Sequence, residues 1–88
     1  MGQQQKITAE VLSGMQDRNI SFTDLYNLLI ELGFSVRIRG DHHIFTHPDV
    51  TEIINLQPDG NKAKPYQVRQ VRNLILKYKF GGVKYEQI

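Results

Sequence analysis

The chain contains no cysteine and no tryptophan, and only three of its residues are proline. Without cysteine, neither a disulfide framework nor a thiolate metal centre can form. No apolar run exceeds the length of Leu28-Leu29-Ile30, far short of the ~20 residues that span a membrane. The polar residues 1–6 also lack the apolar core of a signal peptide. A cytoplasmic protein without a membrane segment is therefore expected.

The composition is that of a small globular protein. Its 88 residues suffice for one domain with one core, and 40% of them are hydrophobic while 23% are charged. The charges are uneven, with a net of −4 over residues 1–60 and of +6 over residues 61–88. This division favours a polyanionic partner for the C-terminal part, although a solvated helix face produces the same pattern.

Two helices are predicted in the N-terminal part. Residues 1–6 are polar and predicted to lack structure, whereas residues 8–15 can form a short helix that begins at Thr8 and ends at Gly14. Ser21 begins the next helix as its N-cap, and Gly33 ends it. Between them, apolar residues follow helical spacing: Phe22, Leu25, Leu28, Leu29 and Leu32.

Three strands and a last helix are predicted to follow. Residues 34–39 alternate between apolar and polar, residues 42–47 return after the turn Gly40-Asp41, and residues 51–56 are rich in β-branched side chains. Pro65 suits the first turn of a helix that Gly81-Gly82 would end. Its buried stripe is predicted at Val68, Val71, Ile75 and Tyr78.

This order predicts an α+β fold in which two helices cover one face of a three-stranded antiparallel sheet. An α-β-β-β-α arrangement of this kind is that of a double-stranded-RNA-binding domain. The N-terminal helical extension precedes it. The predicted divisions of the chain are an extension over residues 1–20, the domain over residues 21–80 and a tail over residues 81–88.

The three histidines lie within six positions, at His42, His43 and His47. A metal site is not expected, because His42 and His43 point to opposite faces of a strand and His43 and His47 are about 13 Å apart along it. His47 is predicted to be a solvated structural residue. For His42 and His43, a structural role and a catalytic role both remain open.

Catalysis by histidine requires no metal or other cofactor if the substrate is RNA. RNA carries its own nucleophile, the 2′-hydroxyl, so a general base beside that group and a cation beside the phosphate can cleave the strand. The candidate cations in the strands and the loop are Arg37, Arg39, Lys62 and Lys64. Arg69 and Arg72 form a further basic stripe on the last helix with Lys79.

A series of motifs carries a resemblance to a known family. In chain order they are Leu32-Gly33-Phe34, the block Gly40-Asp41-His42-His43-Ile44-Phe45-Thr46-His47-Pro48, a strand leading to Pro58, the pair Lys64-Pro65, and the helix with Val68, Val71 and Leu74-Ile75-Leu76. Over residues 25–78 the chain resembles the HicA family, the toxins of type II toxin–antitoxin systems. The Gly-x-His-x-x-aromatic block is the most specific part.

The resemblance implies a fold like that of the double-stranded-RNA-binding domain, cleavage of mRNA, and neutralisation by a HicB-type antitoxin. It also implies one catalytic histidine, which the family pattern places at His42, with His43 as the reserve. The family has Gly-Ser-His where this chain has Asp41 in place of the serine. Strand alternation agrees with His42, because the predicted core residue Phe45 shares its face with His43.

Two other functions remain compatible with the sequence. The same fold could serve as an RNA-binding module without catalysis, or as a protein-interaction domain. Tyr26, Tyr66 and Tyr78 are interpreted as packing residues on helices rather than as platforms for bases.

Overall fold

The computed structural model describes residues 3–80 and confirms the predicted α+β fold. The described elements are α1 (Gln3–Ser13), α2 (Phe22–Glu31), β1 (Ser35–Arg39), β2 (His42–His47), β3 (Val50–Leu56) and α3 (Pro65–Tyr78). The strands form one antiparallel sheet in the order β1-β2-β3. No helix within these residues is both long enough and apolar enough to cross a membrane.

Strand alternation gives the sheet one face toward the helices and one open face. Phe45 pairs with Val36 on one side and with Ile54 on the other, and both Phe45 and Ile54 are completely buried against the helices. The neighbouring position in the register pairs Ile44 with Arg37 and with the exposed Asn55. The open face therefore presents mixed polar, basic and apolar side chains.

Local signals position α2 as predicted. The Ser21 hydroxyl accepts a hydrogen bond from the Asp24 backbone N–H at 3.0 Å, which satisfies one of the unpaired donors of the first turn. At the other end Gly33 adopts φ +98°, and the Phe34 N–H donates to the Leu29 carbonyl at 3.0 Å. This is the Schellman arrangement, which glycine permits at lowest cost.

The start of α3 is fixed by a buried polar side chain. Gln67 is fully buried, and its Oε1 accepts the Lys64 backbone N–H at 3.2 Å while its Nε2 donates to the Asn55 carbonyl at 3.5 Å. It thereby joins the first turn of α3 to β3. The helix ends with Lys79 in the left-handed region at φ 54°, and the predicted stop at Gly81-Gly82 lies outside the described residues.

The N-terminal segment is more regular than predicted. Helix α1 already begins at Gln3, so the prediction that residues 1–6 lack structure is wrong for residues 3–6. Ile7 and Val11 are buried in the same core as α2 and α3, and Gly14 with φ +73° ends the helix as expected. Packing against the other helices, rather than helix propensity alone, accounts for this order.

Candidate functional site

Strand β2 distributes the three histidines between the two faces of the sheet. His42 is exposed on the open face, whereas His43 and His47 face the helices and are half-buried. His47 packs edge-on against Phe34 and Phe80 with ring centroids 5.0 and 5.1 Å apart, and its Nδ1 accepts the Asp49 N–H at 3.0 Å. The prediction that His47 is merely solvated is therefore wrong, because it packs in an aromatic cluster.

The imidazole of His42 is oriented by Asn55. Its Nδ1 lies 3.3 Å from the Asn55 Oδ1, across the β2–β3 pair. In the tautomer that carries its proton on Nδ1, the ring donates to this oxygen and the lone pair of Nε2 is left for another group. His42 thus has the exposure that a general base requires, and the Asn55 contact is compatible with the tautomer that has a free lone pair on Nε2.

Asp41 approaches the same ring from the hairpin turn. Gly40, with φ +60°, occupies the first central position of this turn, as glycine does in type II′ hairpins. The Asp41 Oδ1 lies 3.8 Å from the His42 Nε2, with 64% of the carboxylate side chain and 48% of the histidine side chain exposed. The Gln57 Nε2 donates to the other carboxylate oxygen at 2.9 Å.

The pKa of Asp41 lies below its ordinary value of 3.8. The hydrogen bond from Gln57 is the main cause, followed by the backbone N–H of Asp41 and by weaker electrostatic interactions with His42 and Lys64. Asp41 is therefore ionised at neutral pH. It can stabilise an imidazolium at His42 after the ring has taken up a proton.

A shallow hollow of about 240 Å³ lies beside His42 at the edge of the open face. Its walls come from three elements and the segment after β3: His42, Ile53, Asn55, Gln57, Tyr66 and Gln70. The interpretation of Tyr66 as a packing residue is wrong, since 55% of it is exposed. The exposure of Tyr66 could have been predicted from helical spacing, because Tyr66 lies about 200° round the helix from Val68 in the buried stripe.

A second hollow, of about 450 Å³, continues across the open face on β1 and β2. Arg37 and Arg39 line it, and Ile53 belongs to both hollows. Arg39 is also the direct cross-strand neighbour of His42. Within residues 3–80 neither arginine has an ion-pair partner. The open face thus joins a general-base candidate to two unpaired cations.

Comparison with known proteins identifies the family. The family model described as the HicA toxin of bacterial toxin–antitoxin systems matches residues 22–78, which is more than half of the chain. The chain belongs to the HicA toxin family. The match runs from the start of α2 to the end of α3 and leaves α1 outside. No curated protein and no solved structure gives a significant match.

The other predicted cations of this HicA-family chain occupy different environments. Lys64 lies at the start of α3, close enough to lower the pKa of Asp41, while Lys62 and Arg69 are exposed. Arg72 instead donates to both carboxylate oxygens of Asp17, at 2.9 and 3.3 Å, and to the Val11 carbonyl at 3.1 Å. Its guanidinium links α3 to α1 and to the segment between α1 and α2, in which Asp17 lies.

His43, the second candidate for the catalytic histidine, lies against two aromatic rings of α2. Its ring centroid is 4.9 Å from that of Phe22 and 5.8 Å from that of Tyr26. The His43 Nδ1 is buried and has no hydrogen-bond partner. Within the described part of the chain, no three His, Asp or Glu residues form a group able to hold a metal ion.

Proposed function

We propose that this HicA-family toxin is an endoribonuclease that cleaves mRNA without a metal ion and uses His42 as its general base and acid. The observation that carries the proposal is the exposed imidazole held at Nδ1 by Asn55, on a sheet face with two unpaired arginines. A HicB-type antitoxin is the proposed protein partner, and the cytoplasm is the proposed location because mRNA is there.

The chemistry requires only a proton carrier and a site for the phosphate. The His42 Nε2 takes the proton of the 2′-hydroxyl, and the 2′-oxygen attacks the adjacent phosphorus. The bond from phosphorus to the 5′-oxygen breaks, and the imidazolium returns its proton to that oxygen. The products are a 2′,3′-cyclic phosphate and a free 5′-hydroxyl.

The charges around His42 fit the two halves of this reaction. Asp41, 3.8 Å from Nε2, stabilises the imidazolium that forms after the first proton transfer. Arg37 and Arg39 bind the phosphate groups, with Lys62, Lys64 and Arg69 extending the basic surface along the strand of RNA. Such contacts position the backbone and carry little sequence information.

Cleavage of labelled single-stranded RNA in the presence of EDTA tests the proposal. We expect the wild-type chain to cleave, and His42→Ala to lower the rate by about 10²–10⁴-fold, the usual contribution of an acid–base residue. The exposed Asn73 on α3 provides a control, because Asn73→Ala leaves the open face intact. Induction in bacteria should arrest growth for the wild type and not for His42→Ala.

The rival functions give different results. RNA that stays intact while it binds with a steep dependence on salt indicates a non-catalytic RNA-binding module. A chain that neither cleaves nor binds RNA, yet binds a protein partner, indicates an interaction domain. Cleavage that disappears with EDTA overturns the metal-independent mechanism.

A further inference from the structure

The exposed ring of Tyr66 contributes little to the core. The two other tyrosines of the described helices are half-buried, with Tyr26 packed against Phe45 and Tyr78 hydrogen-bonded to Glu52. Tyr66, on the first turn of α3, is 55% exposed and makes no ring contact with another aromatic residue among residues 3–80. An aromatic ring left in water beside a hollow is available to a ligand.

The other walls of the hollow supply amide groups. The Gln70 amide has no hydrogen-bond partner within the described residues, and Gln57 uses only its Nε2, for Asp41. Asn55 uses its Oδ1 for His42, which leaves its own amide N–H groups. Each of these amides can donate and accept hydrogen bonds, as the edges of nucleobases do.

The dimensions suit one flat ring. A volume of about 240 Å³ lies below the ~300–1,000 Å³ of sites for drug-sized molecules. Ile53 and Tyr66 contribute apolar and aromatic surface to its walls, and the amides of Asn55, Gln57 and Gln70 contribute polar groups. An unstacked base of single-stranded RNA presents this combination of a ring face and a polar edge.

We propose that this hollow is a nucleobase subsite, in which Tyr66 stacks on one base and Gln70 contacts its edge. The inference rests on the proposed function, because it takes RNA as the substrate. His42 is part of the same hollow, so the bound base belongs to a nucleotide next to the bond that is cleaved. The RNA then runs past Ile53 toward Arg37 and Arg39, which hold its phosphates.

Binding of short single-stranded 2′-fluoro RNAs tests the subsite, because a blocked 2′-position prevents cleavage and keeps the wild-type His42 in place. Tyr66→Ala should weaken binding by about 5- to 150-fold, the range for loss of one base–aromatic stack. The salt dependence should not change, since no charge is removed. Tyr66→Phe keeps the ring and should bind like the wild type.

A matched control is Leu76→Ala, which removes another exposed apolar side chain of α3 outside the hollow. Cleavage of RNA with randomised sequence provides a second measurement. Tyr66→Ala and Gln70→Ala should broaden the base preference beside the cut and raise KM with little change in kcat. Thermal unfolding monitors whether each variant remains folded.

The outcomes separate this inference from the proposed function. RNA that is cleaved by Tyr66→Ala with unchanged KM and unchanged base preference overturns the subsite and leaves the ribonuclease standing. Ring-dependent binding without any cleavage overturns the ribonuclease and leaves the subsite standing. Equal losses in Tyr66→Ala and Leu76→Ala overturn the subsite, because they reveal a general effect on α3.

Discussion

The two faces of the sheet use the same residue types in opposite ways. On the helix-covered face, His43 and His47 lie against aromatic rings. On the open face, His42 has one polar neighbour at each ring nitrogen and remains 48% exposed. A strand with alternating sides therefore separates histidines that serve the fold from one that is available to a substrate.

The carboxylates of Glu52 and Asp41 show a similar difference between a group that stabilises the fold and one that is available to the site. Glu52 accepts a hydrogen bond from the Lys77 Nζ at 2.8 Å and another from the Tyr78 hydroxyl at 2.7 Å, so a cation within the fold compensates its charge. Asp41 has a neutral amide from Gln57 as its nearest partner. Its charge is left to act on His42, the residue proposed to become an imidazolium.

The arginines provide the test with the largest expected effect. Arg72→Ala should lower the free energy of unfolding by about 1.5–3 kcal/mol, because it removes hydrogen bonds to a charged group and leaves Asp17, whose side chain is only 16% exposed, without its cation. Arg39→Ala should change stability by no more than about 0.5 kcal/mol. Urea unfolding of both variants measures the difference.

For RNA binding, we expect the opposite: Arg39→Ala should have a larger effect than Arg72→Ala. The logarithm of affinity against the logarithm of salt concentration should become less steep by about one for Arg39→Ala, the effect of one lost phosphate contact. Arg72→Ala should keep the wild-type slope wherever it is folded. A wild-type slope for Arg39→Ala combined with a reduced slope for Arg72→Ala would indicate that RNA binds to the helices and not to the open face.

His43 and His42 give the next test. His43→Ala should lower the free energy of unfolding by about 1 kcal/mol, since the contacts with the Phe22 and Tyr26 rings are lost. His43→Leu should recover this loss, because it retains apolar volume and removes the unpaired Nδ1. Both variants should cleave RNA at the wild-type rate per folded molecule.

The control is His42→Ala, which should remain as stable as the wild type and lose cleavage. Thermal unfolding and single-turnover cleavage, measured on the same preparations, give both quantities. A folded His43→Leu variant that no longer cleaves would show that His43 takes part in the chemistry. The helix-covered face would then contribute to cleavage as well as the open face.

The sequence predicted the elements whose signals are local. The cap at Ser21, the stop at Gly33 and the period-two alternation around Phe45 each depend on neighbouring residues, and all three were confirmed. The same alternation predicted that His42 lies on the open face and that His43 faces the helices. Two strand boundaries differed by one residue, since β1 begins at Ser35 and β3 begins at Val50.

Features that depend on distant residues were not predictable in this way. Arg72 and Asp17 are 55 positions apart, so no helical pattern links them. The order of residues 3–6 arises from packing of α1 on the other helices, and the hollow around Tyr66 exists only where α3 meets the edge strand β3. The role of an exposed aromatic residue therefore depended on the fold.

Glu52 offers the smallest expected effect and the clearest contrast with Asp41. Hydrogen bonds from Lys77 first, and then from Tyr78, lower the pKa of Glu52 from 4.5 to about 2. Because the folded pKa is below the unfolded one, the stabilisation is present above pH 4.5 and is lost as the pH falls toward 2. Glu52→Gln should therefore have a lower Tm than the wild type at neutral pH, with a difference that shrinks over this interval.

Added salt should reduce the same difference, because the ion pair is accessible to solvent. Asp41→Asn is the matched control on the open side, and its effect on Tm should be smaller, since Asp41 has no cation at hydrogen-bonding distance. A difference for Glu52→Gln that stays constant from neutral pH to pH 2 would mean that its charge plays no part. Glu52 would then hold α3 to β3 by neutral hydrogen bonds alone, and the two carboxylates would no longer differ in kind.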